Sequence, residues 1–322
     1  MSNTMRIAMN GYIVVIGGIN VDIKGKAFDK IFIGTSNPGA IEISPGGVGR
    51  NIAHNLALLN VPVMLLSAIG SDAQGAKVLK DTGSHGVCVD HVLRSDVSLT
   101  GTYIALLDNM GEMTAALSDM QILEKLDVDY FKSKLGVLKN ASYIICDANL
   151  PAASIEFILS TANSFGIPVC LEPVSVKKAL KLKNYLSRID FITPNLDELE
   201  ALTGMNAKTD KAELMAAQLI ESGVKNVITT LGKEGLCYTN VIGSKRYRSI
   251  PSTVSDVTGA GDSLTAGFIY GLMKHGSIEK ALICGLAAAA ITVSSKETVN
   301  PLLSEENISR LTLECSLDNM LQ

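Results

Sequence analysis

Basic charge is scarce in this chain. Its 28 Lys and Arg are outweighed by 32 Asp and Glu, for a formal net charge of −4 and a pI near 5.6. No Lys/Arg run is long enough to form a polybasic patch, which excludes the field that holds nucleic acid and points to a small-molecule partner. The six cysteines (Cys88, Cys146, Cys170, Cys237, Cys284, Cys315) are scattered, with no Cys-x-x-Cys and no zinc spacing; they read as reduced residues of a cytosolic protein, several of them in core runs. The four histidines (His54, His85, His91, His275) show no paired spacing on one helix face, so a catalytic metal held by imidazoles is not expected. No apolar run spans a membrane. Tyr12 to Ile19 is too short, and Ala281 to Val293 is closed off by Lys280 and by Ser294-Ser295-Lys296, so no membrane partner is expected. No Pro- or Ser-rich linker, internal repeat or Gly-x4-Gly-Lys-Ser/Thr phosphate loop occurs, so any nucleotide is held differently.

Apolar residues are abundant instead, at 47% against 19% charged, ample for a buried core. Short β-rich runs (Tyr12 to Gly18, Val61 to Ala68, Tyr143 to Asp147, Pro168 to Glu172, Phe191 to Pro194, Asn226 to Leu231) alternate with helical patterns. The helical patterns cover Val48 to Asn60, Ala73 to His85, Ala152 to Phe165, Leu196 to Thr203 and Lys211 to Ser222. This alternation predicts a parallel sheet with helices on both faces. Two inserts, about 24–45 and 87–120, break the rhythm. In the second, Thr102 to Leu107 and Met113 to Leu117 flank Asp108-Asn109-Met110-Gly111, the pattern of a strand pair around a turn. Together the inserts read as a small β-layer over the carboxyl edge of the sheet, a lid in a chain forming one domain over 1–322; peripheral decoration is the competing reading.

The chemistry-bearing segment is Asp256-Val257-Thr258-Gly259-Ala260-Gly261-Asp262, which precedes an apolar helical run from Ser263 to Lys274. Unpaired amides at a helix start, with the positive end of the helix dipole, bind a phosphoryl oxygen while a carboxylate beside them takes a proton. A Gly-rich turn with an Asp cap would look the same. A second cluster, Gly46-Gly47-Val48-Gly49-Arg50-Asn51, opens another helix and permits close backbone approach to a ligand. It follows an insert and lacks the third glycine of a dinucleotide fingerprint.

Five motifs in order, Gly17-Gly18-Ile19-Asn20-Val21-Asp22, the Gly46-Gly47 cluster with Asn51, Asn195-Leu196-Asp197-Glu198, Thr230-Leu231-Gly232 and the 256–262 segment, resemble those of ribokinase-like (PfkB) sugar kinases. The resemblance implies a three-layer α/β/α sandwich with a mostly parallel central sheet and a small β-sheet lid. It implies transfer of the γ-phosphoryl group of ATP to a sugar hydroxyl, with Asp262 as general base and the Gly259, Ala260 and Gly261 amides as anion hole. Asn20, Asp22, Gly46, Gly47, Asn51, Thr102 and Asn149 would bind the sugar. Asn195, Thr230, Gly232, Gly235 and Thr258 would face the nucleotide, Glu198 would hold Mg2+ through water, and Asp256 with Thr258 would bind a monovalent cation, K+. Asn195 and Glu198 also fit a helix capping pair, and Thr230 and Gly232 a plain tight turn. The small residues from Cys284 to Ala290 would lie near the adenine or serve close helix packing. Two segments depart from the family pattern: Lys296 to Pro301 is bulkier than its Gly-Ala turn, and Glu172-Pro173-Val174 carries Glu where Asp is usual, keeping the charge but shifting it outward. Segments around Ser36-Asn37-Pro38-Gly39, Pro45 to Asn55, Leu106 to Met113 and Ser118-Asp119-Met120 narrow the resemblance to members acting on a ribonucleoside 5′-hydroxyl, with a pentose kinase or a non-catalytic nucleoside-binding protein as alternatives. Exposed lid strands would invite a homodimer.

Overall fold

The computed structural model describes residues 11–314; Cys315 lies outside them. Fourteen strands are present among these residues: β1 (Tyr12–Ile16), β2 (Asn20–Ala27), β3 (Gly39–Gly46), β4 (Val63–Leu66), β5 (Ala68–Gly70), β6 (Leu93–Ser95), β7 (Gly101–Leu107), β8 (Met113–Asp119), β9 (Ala141–Asp147), β10 (Val169–Glu172), β11 (Phe191–Ile192), β12 (Asn226–Thr230), β13 (Leu236–Asn240) and β14 (Gly243–Tyr247). The main sheet has eight strands in the order β14-β13-β12-β11-β10-β9-β1-β4. All pairings from β4 to β12 are parallel, and β13 and β14 close one edge as an antiparallel hairpin.

Continuous apolar strands such as Tyr12–Ile16 are buried because helices cover both faces. Ile13 and Val15 pack into one cluster with Ile52, Leu56, Phe268 and Leu282, and Val14 and Ile16 into a second with Ile155, Ile158, Leu199 and Met215. This is the expected three-layer α/β/α sandwich. Helices Ala260–His275 and Ile278–Val293 pack closely, since a Cβ on Gly271 would come within 2.6 Å of Ala281 Cα. Within the segment from Cys284 to Ala290, a Cβ on Gly267 would come within 2.7 Å of Ala288 Cβ, so these small residues allow the close helix packing.

A second sheet, β3-β2-β7-β8, forms the lid. Its strands come from both inserts, but the expected boundaries shift. Strand β2 already begins at Asn20, and the segment after Val87 belongs to the core edge, where Cys88 bridges Met64 and β6 pairs with β5. Across the lid, Asn20 lies opposite Gly46 and Gly101, and Asp22 opposite Ser44 and Tyr103. Residues directly across strands share a face, so one lid face carries Asn20, Asp22 and Lys24. The other carries Ile23 between Ile43 and Ile104.

Among the described residues no helix is long and apolar enough to cross a membrane. Cys146, Cys170, Cys237 and Cys284 are buried free thiols, while Cys88 is half-buried.

Candidate active site

The carboxyl ends of β1, β9, β10, β11 and β12 and the N-termini of three helices meet under the lid. Helix Ala260–His275 starts at Gly259, whose φ of 81° and contact with the Thr298 carbonyl leave no room for a Cβ. The backbone thereby enters the helix with its first amides turned outward. Ala260 N donates to Val257 O at 3.3 Å, whereas the Gly259, Gly261 and Asp262 amides have no protein partner among the described residues. Nothing lies within 4 Å of where a Gly261 Cβ would be. Of the three expected anion-hole donors, Gly259 and Gly261 are thus uncommitted and Ala260 is drawn to its own turn.

Asp262 stands in the first turn of that helix, half-buried, and its Oδ2 accepts from Asn51 Nδ2 at 2.8 Å. Desolvation pushes its carboxyl up to about 7; the Asn51 hydrogen bond and Arg50 oppose this, while Asp147 and Asp22 add to it. A carboxyl titrating near neutrality suits a general base.

Helix Val48–Leu58 reaches the same point from the other side. Gly47, with φ 104°, caps it where a Cβ would strike the Gly18 carbonyl. Asp147, at the end of β9 and 1% exposed, binds these turns together: its Oδ2 accepts from Gly18 N (2.8 Å) and Gly49 N (3.2 Å), and its Oδ1 from Asn149 N (2.9 Å). Burial raises its proton affinity against those bonds. Asn20 Nδ2 donates to Asp22 Oδ1 at 2.5 Å, as two polar side chains on one strand face can. Gly46 lies against the Asp22 carboxylate, whose proton affinity burial raises. Asn149 stands over Gly18 and accepts from the Lys178 ammonium. Asn20, Asp22, Gly46, Gly47, Asn51, Asn149 and Asp262 are therefore brought together. Thr102 is not: it lies opposite Val21, on the lid face turned from Asn20 and Asp22, and donates to Thr100 O at 3.2 Å. Tyr103 takes the place across from Asp22.

Among the residues expected to face a nucleotide, Asn195 and Glu198 form a reciprocal capping box on helix Leu196–Thr203, with Glu198 N to Asn195 Oδ1 at 2.9 Å and Asn195 N to Glu198 Oε2 at 3.0 Å. Asn195 bridges Thr230 across the sheet edge. Gly232, φ 58°, and Gly235, φ 98°, shape the turn into β13. Glu198 is buried and desolvation raises its carboxyl, partly offset by the Asn195 amide. Glu172 is not shifted outward as its length suggests. It is 8% exposed, accepts from Thr193 Oγ1 and from Thr265 Oγ1 (3.2 Å), and desolvation, with Glu198 and Asp262 nearby, drives its carboxyl well above the usual range. Among the described residues no three His, Cys, Asp or Glu side chains converge as a metal cage. A single buried carboxylate such as Glu198 fits Mg2+ only where the ion keeps most of its water and phosphate ligands.

Asp256 faces the lid. Its Oδ1 accepts from Thr258 N (2.8 Å) and Oγ1 (2.7 Å), and its Oδ2 lies 3.5 Å from Lys24 Nζ. Burial raises its proton affinity, but Thr258 and Lys24 outweigh that and hold the carboxyl below its ordinary value.

Sequence reasoning missed Asp147, Arg50, Lys178 and Lys24. Asp147 carried a readable signal, a carboxylate closing a buried apolar strand; the others are placed by tertiary packing.

The profile "pfkB family carbohydrate kinase" matches residues 10–305, and the chain belongs to that family: it is a sugar or nucleoside kinase of the PfkB type. It is 35% identical over 307 residues to pseudouridine kinase of Escherichia coli (strain K12), covering 93% of this chain and 96% of that protein. It is 27% identical to guanosine-inosine kinase of Exiguobacterium acetylicum, over 88% of this chain and 95% of that one. The structure of Arabidopsis thaliana ribokinase complexed with ribose and ATP superposes with a TM-score of 0.85 at 25% identity, over 95% of this chain and 99% of the other.

Proposed function

We propose that this kinase transfers the γ-phosphoryl group of ATP to the 5′-hydroxyl of pseudouridine, giving pseudouridine 5′-phosphate and ADP. The observation that carries the reading is Asp262, desolvated to a pKa of about 7 and held by Asn51 beside uncommitted amides of a helix start. The likeness to pseudouridine kinase selects the nucleoside.

In this reading Asn20, Asp22, Asn51, Asn149 and the Gly46-Gly47 turn hold the ribose so that its primary hydroxyl faces Asp262. The 5′ oxygen forms its bond to the γ-phosphorus as the bond from that phosphorus to the β–γ bridging oxygen breaks. The hydroxyl proton passes to Asp262, and the Gly259 to Gly261 turn stabilises charge spread over the transferring oxygens. Asn195, Thr230, Gly232, Gly235 and Thr258 line the nucleotide side. Glu198 would hold Mg2+ through water, and the ion would neutralise phosphate charge. Lys24 already provides a cation at Asp256, so K+ binding at Asp256 would compete with that pair. The whole chain, 1–322, acts as one kinase domain whose lid segments close over the nucleoside and exclude water.

Initial rates with pseudouridine, uridine, adenosine and ribose at equal concentration test the substrate. Pseudouridine is expected to give the highest kcat/KM, and a preference for ribose would overturn the assignment. A purely nucleoside-binding protein would bind pseudouridine without ADP release.

The outer lid face supports a homodimer. Ile41, Ile43, Ile104, Leu106 and Leu117 are exposed there in adjacent cross-strand positions, a patch that a second copy would cover. Sedimentation should give a dimer that Ile104→Asp dissociates; a wild-type monomer at micromolar concentration would refute it.

A further inference from the structure

Asn51 does not orient itself. Its Oδ1 accepts from Arg50 Nη1 at 3.1 Å while its Nδ2 donates to Asp262 Oδ2 at 2.8 Å. A guanidinium only donates, so it compels the amide to turn its oxygen toward Arg50 and its NH2 toward the carboxylate. Arg50 is itself fixed: its Nη2 donates to Asp81 Oδ2 at 3.1 Å and lies 3.2 Å from His54 Nδ1. Desolvation, with Arg50 and His85 adding to it, lowers His54 to about 3, so the ring is neutral and its Nδ1 can accept.

Arg50 is 4% exposed, and its Nε has no partner among the described residues. An arginine buried with an unpaired donor costs stability, and an apolar residue would fill the same space more cheaply. Buried at the helix start that meets Asp262, Arg50 therefore calls for a role other than packing.

We propose that Arg50 is a positioning residue for phosphoryl transfer, acting through the tether Asp81–Arg50–Asn51–Asp262 to lock the Asn51 amide and to tune the proton affinity of the base. The inference rests on the reading of Asp262 as general base. The groups facing Asp262 are Asp147 from β9, Asp22 from β2, Glu172 from β10, and Arg50 and Asn51 from helix Val48–Leu58. The three carboxyls favour the protonated form and Arg50 opposes them. Arg50 in turn faces Asp81, Asp22, Asp262 and His54.

The test compares Arg50→Met, Arg50→Lys, Asp81→Asn and Asp262→Asn in the full-length protein. Arg50→Met should lower kcat about tenfold or more, part of the roughly 10²–10⁴ that a general base contributes, with KM for the nucleoside within about twofold. The acid limb of its kcat/KM profile should move to higher pH, because a cation facing the carboxylate is gone. Arg50→Lys keeps the charge without the fork and should restore the limb but not the full kcat. Asp81→Asn, changed at the more exposed end of the tether, should lower kcat by about threefold and should not move the limb to higher pH. A folded Arg50→Met enzyme with wild-type kcat and acid limb overturns the proposal. If Arg50→Met fails to fold, wild-type kcat in Asp81→Asn overturns it. Asp262→Asn that still transfers phosphate defeats the general-base reading itself. Inactive Asp262→Asn beside an unaltered Arg50→Met defeats the tether alone.

Discussion

Replacing Asp262 with Asn should make the fold more stable, by an amount that depends on pH. Folding moves this carboxyl from 3.8 to about 7, so between those values the native protein keeps a proton that the unfolded chain has released. Wild-type stability therefore falls as pH rises from about 4 to about 7 and levels off beyond. Each pH unit corresponds to about 1.4 kcal/mol, giving an upper bound on the order of 4 kcal/mol at pH 8. The side chain is half-buried rather than sealed, so relaxation and water reduce this. The advantage of Asn over Asp should grow by about 1–3 kcal/mol between pH 5 and pH 8. The carboxyls of Asp22, Asp147 and Glu172 are present in both proteins, so the difference reports Asp262 together with its coupling to them. Urea unfolding followed by circular dichroism at the two pH values measures it. A difference independent of pH, or one favouring Asp more as pH rises, would refute the raised proton affinity and its physical cause.

Asp147→Ala removes the acceptor of the Gly18, Gly49 and Asn149 amides; unpaired buried donors should cost about 2–4 kcal/mol in urea unfolding, and a loss below about 0.5 kcal/mol would refute the anchoring role. Glu172→Gln keeps the acceptor for Thr193 and Thr265. Because burial holds the native carboxyl toward its neutral form while the unfolded chain ionises at pH 7, Glu172→Gln should be more stable than wild type at pH 7 and lose that advantage toward pH 4, whereas a loss of about 3 kcal/mol or more at pH 7, the cost of deleting a buried charge, would show that it is ionised. Gly259→Ala forces a side chain against the Thr298 carbonyl at φ 81°, and should lower kcat at least about tenfold by turning the first amides away; unchanged kcat would remove the anion hole from the account.

Elements with local signals were legible in the sequence. Helix Ala152–Phe165 ends where expected because Gly166, at φ 68°, takes the left-handed position that stops it. Helix Leu196–Thr203 is bounded by its capping box and by Gly204 at φ 77°. The β13–β14 hairpin was not legible: Gly243–Tyr247 is polar and mostly exposed, and pairs only because Leu236–Asn240 is fixed beside it. The lid strands were visible, but their pairing decides which face each residue takes, and Thr102 fell on the wrong one. The site motifs were read from glycines and carboxylates at strand and helix ends. The network beneath them was not, since nothing local in a helical Arg50 or in Lys178 announces which partner it will meet. Asp147 was within reach by the logic applied to Asp22.

The most direct measurement of the central claim is single-turnover phosphoryl transfer from ATP to pseudouridine by wild-type protein and Asp262→Asn, paired with calorimetric binding of the nucleoside. The account predicts a transfer rate lower by about 10² or more, with pseudouridine affinity within about threefold of wild type. Transfer within about tenfold of wild type, by a variant that binds the nucleoside normally, would contradict it.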